Sequence, residues 1–297
     1  MTYLVGFSPH KDDHAAIELA CMLARSDHEV GADVEVLTVV PPGWPTPVAG
    51  DVDREFEAWV AAEGESSATE AAAMLAEHPD VDGRAVWIHG RSTPQTLLDE
   101  AERSGASLLV LGSDPHGSEG QITLTSKTDR LLHSSPVPVA IAPRGFRAPA
   151  PSRVTRVTIA YRGDEETSDL LEKVAPICMR VGALIRVVTF AVRGETMFPP
   201  RISGAEDMVA QQWREQASQA LQRASRRLQE LDVPTESIAT ATATGSSWAA
   251  AMSDVEWDEG DLLVVGSSST HPLAQVFLGS SASKILRNST VPVIVVP

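Results

Sequence analysis

Short runs of β-branched and aliphatic residues alternate along the chain with longer stretches in which apolar positions recur every three to four residues. The short runs predict strands near 2–8, 33–40, 83–88, 107–112 and 137–142, and the longer ones predict helices near 11–30, 52–78, 93–104 and 123–134. The order then starts again, with strands near 155–161, 184–191, 236–242, 261–266 and 291–296 and helices near 164–181, 204–231, 246–256 and 277–288. Runs such as Leu108–Leu111 and Val293–Val296 are apolar without alternation, as a central parallel strand covered on both faces requires. The alternation predicts βαβ units, and so an α/β fold: two tandem, doubly wound, five-stranded parallel-sheet domains.

The repetition extends to the residues themselves. Leu108-Leu109-Val110-Leu111-Gly112-Ser113 recurs as Leu262-Leu263-Val264-Val265-Gly266-Ser267, an offset of 154 residues. Val137-Pro138-Val139-Ala140-Ile141 recurs as Val291-Pro292-Val293-Ile294-Val295 at the same offset. Leu4–Phe7 falls opposite Thr158–Tyr161, and Gly90 and Gly245 stand 155 apart, a one-residue gap. A period of this size means one structural unit used twice, with domains expected at 1–146 and 152–297. The joining stretch, Arg144–Arg153, is short and rich in proline and alanine, which suits an extended connector between halves that touch.

Charge narrows the function classes. Against 40 acidic residues there are 24 basic ones, a formal net charge of −16, which disfavours a partner bound through a phosphate backbone; no nucleic acid is expected. The excess divides unevenly, −13 through residue 150 and −3 beyond it. Cys21 and Cys178, each in an apolar helical stretch, form neither a disulfide framework nor a zinc ligand set, and they fit a reducing, cytoplasmic setting. The opening Met1–Gly6 lacks a basic leader, and no run of about 18 apolar residues occurs, so neither export nor a membrane span is expected.

In open parallel sheets ligands bind beyond the carboxyl ends of the strands, which directs attention to the loops after the first and fourth strands. After the fourth strand of the second copy, the segment from Gly266 to Lys284 has glycine and small hydroxyl residues at both ends. Glycine lets backbone approach a ligand closely, while serine hydroxyls and helix N-terminal N–H groups donate to phosphate oxygens. The same residues also suit a chain that merely turns at Gly266 and Gly279 and caps a helix with serine.

The order strand-Gly266, loop, Gly279-Ser280, helix, Val291-Pro292-Val293-Ile294-Val295-Val296 resembles the universal stress protein family, across nearly the whole chain and twice. The opening Val5–Ala16 and the run Leu108–Ser113 resemble that family's first strand with its helix start and its fourth strand. The resemblance implies an adenine nucleotide alpha hydrolase-like fold, with phosphates held by a Gly-x2-Gly-x9-Gly-Ser/Thr loop and the nucleoside contacted by an aspartate ending the first strand. Carried over, the second copy has Gly266, Ser269 in place of the second glycine, Gly279 and Ser280, followed by Ser281. The first copy has Gly112, Pro115, Thr125 and Ser126; both inner glycine positions are lost, and proline removes an N–H donor and fixes φ. The aspartate position holds Ser8 in one copy and Arg162 in the other. Arg162 either offers a guanidinium fork to an anion or pairs with Asp164 or Glu165. Val39 and Phe190, after Thr38 and Thr189, stand where the family holds adenine by backbone and apolar contact.

What the resemblance implies is a stress-response protein whose second copy binds ATP, ADP or AMP, with magnesium, as a non-catalytic sensor, the first copy being degenerate. The alternative is a nucleotide-independent interaction or chaperone-like protein. Weak ATP hydrolysis needs a base or metal ligand near the γ-phosphate, for which Asp254, Glu256 and Asp258 are candidates by composition alone. His10, Asp12, Asp13 and His14 match no metal-ligand spacing and suit a helix start, and Ser113, Asp114 and His116 lie too close in one loop to argue for a triad. Trp213, Arg214, Arg223, Arg226 and Arg227 suit the solvated face of a long helix. The last strand of each copy, Val137–Ala142 and Val291–Val296, is expected at an apolar sheet edge, which invites pairing. The family resemblance implies that the copies pair through it as an intrachain pseudo-dimer, with further homo-oligomers open.

Overall fold

The computed structural model describes residues 1–8, 14–27, 31–42, 51–192, 205–267 and 278–297. The first half comprises β1 (Thr2–Phe7), α1 (Ala15–Ser26), β2 (Asp33–Val40), α2 (Asp51–Ala76), β3 (Gly83–His89), α3 (Thr93–Ser104), β4 (Leu108–Gly112), α4 (Ser126–Leu132) and β5 (Val139–Ala142). The second half repeats the series as β6 (Arg156–Ala160), α5 (Glu165–Val181), β7 (Leu184–Val192), α6 (Ala205–Glu230), β8 (Ile238–Gly245), α7 (Trp248–Ser253), β9 (Asp261–Gly266), α8 (Ser280–Asn288) and β10 (Val293–Val296).

All ten strands join one sheet in the order β3-β2-β1-β4-β5-β10-β9-β6-β7-β8. Pairing is parallel within each half, and β5 meets β10 antiparallel through Val293 with Ile141, Ile294 with Ala140 and Val295 with Val139. The carboxyl ends of β1–β5 and of β6–β10 therefore face opposite ends of the sheet.

Neighbouring strand residues point to opposite faces, and both faces are buried. Val5, Val36, Val110, Ile159 and Val187 pack with α1, α2, α5 and α6. Leu4, Leu37, Leu109, Leu263 and Val293 pack with α3, α4, α7 and α8 on the other face. This is why the central strands lack polar alternation.

Boundaries differ from the sequence expectation where a local group intervenes. The helix expected at 11–30 runs Ala15–Ser26, with residues 9–13 and 28–30 outside the described residues. The one expected at 123–134 starts at Ser126 because the Thr125 side chain accepts the Thr128 N–H at 3.1 Å. The one expected at 246–256 starts at Trp248 behind a Ser247 cap, and β8 runs three residues further than 242. The last strands begin one residue after Pro138 and Pro292, which have no N–H to give a ladder and contribute carbonyls to Leu109 and Leu263 instead.

The connector lies along α1. Glu18 accepts from the Ala148 N–H at 3.0 Å and pairs with Arg147, Ser26 Oγ accepts from Val154 N–H at 2.8 Å, and Arg25 donates to Ser152 O at 2.8 Å. Arg25 also grips Asp80 and donates to Nδ1 of the buried His78. Fixed this way, the connector sets each half against the other.

Candidate functional site

The carboxyl edge of the second half carries most of the residues singled out by sequence. Gly266 ends β9, and Ser267 donates its N–H to Val296 O at 2.8 Å, tying the strand end to β10. Gly279 is the N-cap of α8 and contributes no side-chain cap; Ser280 and Ser281 form the first turn, anchored below by buried Ala282, Ile285 and Leu286. A helix start of this kind presents backbone N–H groups and the positive end of the helix dipole. Ser269 lies outside the described residues.

Packing among the described residues does not explain why residue 266 is glycine. Among them, a Cβ there would meet only Leu170 Cδ2, at an ordinary 3.6 Å. Gly245, which ends β8 on the same edge, is different: a Cβ would overlap the backbone of Ala250 and Ala251 at the start of α7. Gly245 is a structural glycine, whereas the described residues around Gly266 leave room for a Cβ.

Arg162 follows β6 and donates from Nε to Asp164 Oδ2 at 2.7 Å, with about half its side chain exposed. Asp164 in turn caps α5, accepting the Thr167 N–H at 3.0 Å and hydroxyl at 2.7 Å. Partial burial pushes the Asp164 carboxyl up, but the Thr167 donors and the Arg162 guanidinium outweigh it and hold the group below the usual carboxylate range. Phe190 lies near the end of β7, its ring centroid 6.3 Å from that of Trp248 at an interplanar angle of 40°. Lys284, one turn into α8, holds its Nζ 6.0 Å from the Trp248 centroid. Trp248 and Lys284 escaped the sequence reading. A signal for Trp248 was there: Ser247 corresponds to Ser92, the N-cap of α3, so Trp248 replaces Thr93.

The matching loop of the first half is closed upon itself. Buried Ser113 accepts the Thr123 N–H at 2.8 Å, and Asp114 donates its N–H to Thr123 O at 2.8 Å. His116 and Gly117 donate to Asp114, Gly120 to Arg144 O, and Arg144 back to Gly117 O at 2.6 Å. Ile122 enters the core, Pro115 has no N–H, and Thr125 caps the turn that Ser126 begins. Many of that loop's backbone donors are spent on the loop itself. Gly112 ends β4, Ser8 is exposed just after β1, and Val39 packs half-buried against the α3 side of the sheet.

The remaining candidates separate. Asp254 sits beside the end of β8, accepting from Thr244 N–H at 2.7 Å and hydroxyl at 3.2 Å. Glu256 and Asp258 are at the amino end of the sheet, where the Glu256 carbonyl accepts from Arg186 at 2.7 Å and Asp258 from Arg156 at 2.8 Å. Neither carboxylate reaches the edge that holds Gly266. Burial pushes the Cys21 and Cys178 thiols up to about 12, leaving both as neutral core side chains. His10, Asp12 and Asp13 lie outside the described residues, His14 precedes α1, and among the described residues no cluster suits a metal ion. Arg227, on the long helix, pairs with Glu172 and Glu230. Among the described residues, no helix is long and apolar enough to cross a membrane.

Sequence likeness places the family, and likeness to solved structures bears on the fold. The model of the universal stress protein family matches residues 1–143 and again 154–297. A universal stress protein of Mycobacterium tuberculosis strain H37Rv is 39% identical over 301 residues, covering 100% of both chains, and one from Mycobacterium bovis matches equally. Among solved structures, a universal stress protein from Archaeoglobus fulgidus shares the fold at 17% identity and a TM-score of 0.61, covering 99% of this chain and 95% of its own. A functionally unknown protein from Pseudomonas aeruginosa PAO1 does so at 15% identity and a TM-score of 0.59, covering 99% of this chain and 92% of its own.

Proposed function

The chain belongs to the universal stress protein family, and on that premise we propose that it is a non-catalytic binding protein whose second domain, 152–297, holds an adenine nucleotide while its first, 1–146, does not. The observation that carries this reading is the contrast between the two fourth-strand loops. In the second half the described residues leave room for a Cβ at Gly266, and Gly279 leaves the α8 start without a side-chain cap. In the first half Thr125 supplies that cap and the loop spends its own donors. Gly266, Ser269, Gly279, Ser280 and Ser281 would hold the phosphates, with Arg162 at the rim and Phe190 on the base side. Magnesium, if carried in with ATP, would neutralise phosphate charge. Occupancy would alter a surface that partners read. The antiparallel meeting of β5 and β10 supports reading the chain as an intrachain pseudo-dimer, with further homo-oligomers open. Two buried thiols, with no disulfide between them, support a reducing cytoplasm.

A ligand that binds only the folded state raises its melting temperature by mass action. Millimolar ATP, ADP or AMP, with and without magnesium, should therefore raise the melting temperature of the full chain. An unchanged curve with all three removes the reading.

The second reading, an interaction or chaperone-like protein that needs no nucleotide, is favoured by Arg162 replacing the aspartate and being tied to Asp164. Protein purified without added nucleotide and then denatured should release adenine absorbance under the first reading and none under the second.

A further inference from the structure

Two substitutions between the repeats, far apart in sequence, converge in space. Sheet register sets Val39 beside Ile88 and Phe190 beside Ala243, each two residues before the equivalent glycines Gly90 and Gly245. The N-caps Ser92 and Ser247 then set Thr93 opposite Trp248. The change from valine to phenylalanine and the change from threonine to tryptophan thus occur at adjoining places on the carboxyl edge of one half, and the two rings touch. A third element joins them, since Lys284 on α8 stands over the Trp248 ring. The half that acquires these rings is the one that keeps Gly266 and Gly279-Ser280.

Trp248 packs against the core cluster and is partly buried, as a residue of its size commonly is. It lies at the first position of a short helix whose neighbours Ala249 and Ala250 are exposed, so part of the indole stays at the surface of the carboxyl edge. Phe190 backs it from β7, fixing the ring, while Lys284 brings a cation to the same spot. An indole paired with Phe190, with a flexible ammonium over its ring, suits a ligand that is flat and aromatic at one end and anionic at the other. The flat end stacks on the indole, and the anion answers the ammonium.

We propose that Trp248, backed by Phe190, is the stacking wall for the base of the bound nucleotide, and that Lys284 faces its phosphate side. This rests on the nucleotide reading above and adds to it a selectivity: the second half prefers a phosphate that carries a purine base over the same phosphate without one. The first half, with Val39 and Thr93, has no such wall.

The test compares AMP with ribose 5-phosphate by titration calorimetry on the full chain, in wild type, Trp248→Phe, Trp248→Leu and Trp248→Ala, with melting temperature as a folding control. Wild type should bind AMP more tightly than ribose 5-phosphate. Trp248→Leu, which keeps apolar volume but no π face, and Trp248→Ala should weaken AMP by roughly 5- to 100-fold and leave ribose 5-phosphate unchanged. Trp248→Phe should retain most of the preference. If Trp248→Leu binds AMP as wild type does, the stacking wall is overturned while the nucleotide reading stands. If wild type binds neither AMP nor ATP, both fall together.

Discussion

Arg180, in the last turn of α5, clasps the carboxylate of Asp27 at the end of α1, with Nε 2.8 Å from Oδ1 and Nη2 2.6 Å from Oδ2. One residue comes from each repeat, and the carboxylate is 2% exposed. The parallel two-bond geometry is the strong form of this interaction, and it fastens the two halves on the face that α1 and α5 share.

Removing the arginine strands a buried carboxylate, which costs more than the pair contributes when intact. Arg180→Ala is expected to destabilise the chain by about 3 kcal/mol in urea unfolding. The double variant Asp27→Ala with Arg180→Ala should lose clearly less than the sum of the singles. Additive losses would mean the pair does not couple the halves.

The same junction has an alkaline limit. Burial, aided by the Asp27 charge and opposed by Arg180, pushes the Tyr3 phenol up from 10.0 to about 12. Because its pKa is raised on folding, the neutral phenol contributes stability that is fully present below about pH 10 and is lost as pH rises toward 12. The loss should approach about 2–3 kcal/mol, since each tenfold change in proton affinity between the folded and unfolded chain is worth about 1.4 kcal/mol. Tyr3→Phe should flatten the decline in unfolding free energy over that window; an identical decline would place its origin elsewhere.

Two glycines on one sheet edge should behave oppositely. Gly245→Ala drives a Cβ into the backbone of Ala250 and Ala251 and should cost about 1–3 kcal/mol. Among the described residues Gly266→Ala meets only Leu170, at 3.6 Å, and should change stability by less than about 1 kcal/mol, while weakening nucleotide binding roughly tenfold, about 1.4 kcal/mol. Equal damage to folding from both substitutions would make Gly266 a packing residue and remove a main support of the nucleotide reading.

Much of this architecture is legible in the residues, and the reasons are local. Strand runs such as Leu108–Leu111 and Val293–Val296 declare themselves because both faces of a central strand are buried. Helix starts are harder: Thr125 and Ser247 each stop a helix from extending backward, and periodicity alone does not register a cap. Among the site residues, the Pro115 departure is visible, but its consequence is not. Ser113, Asp114 and Arg144 close that loop through contacts spanning up to 27 residues.

Residue order alone establishes that one unit is used twice, that each copy alternates strand and helix, and that the second copy keeps more of the glycine-and-serine loop. Spacing and local hydrogen bonding suffice for those conclusions. It takes the folded chain to show that Phe190, Trp248 and Lys284 share one edge, that Glu256 and Asp258 belong to the other end of the sheet, and that Asp27 meets Arg180 across the repeats. Those relations join residues from separate elements, and they exist only once strand register and the antiparallel β5–β10 pairing bring those elements together.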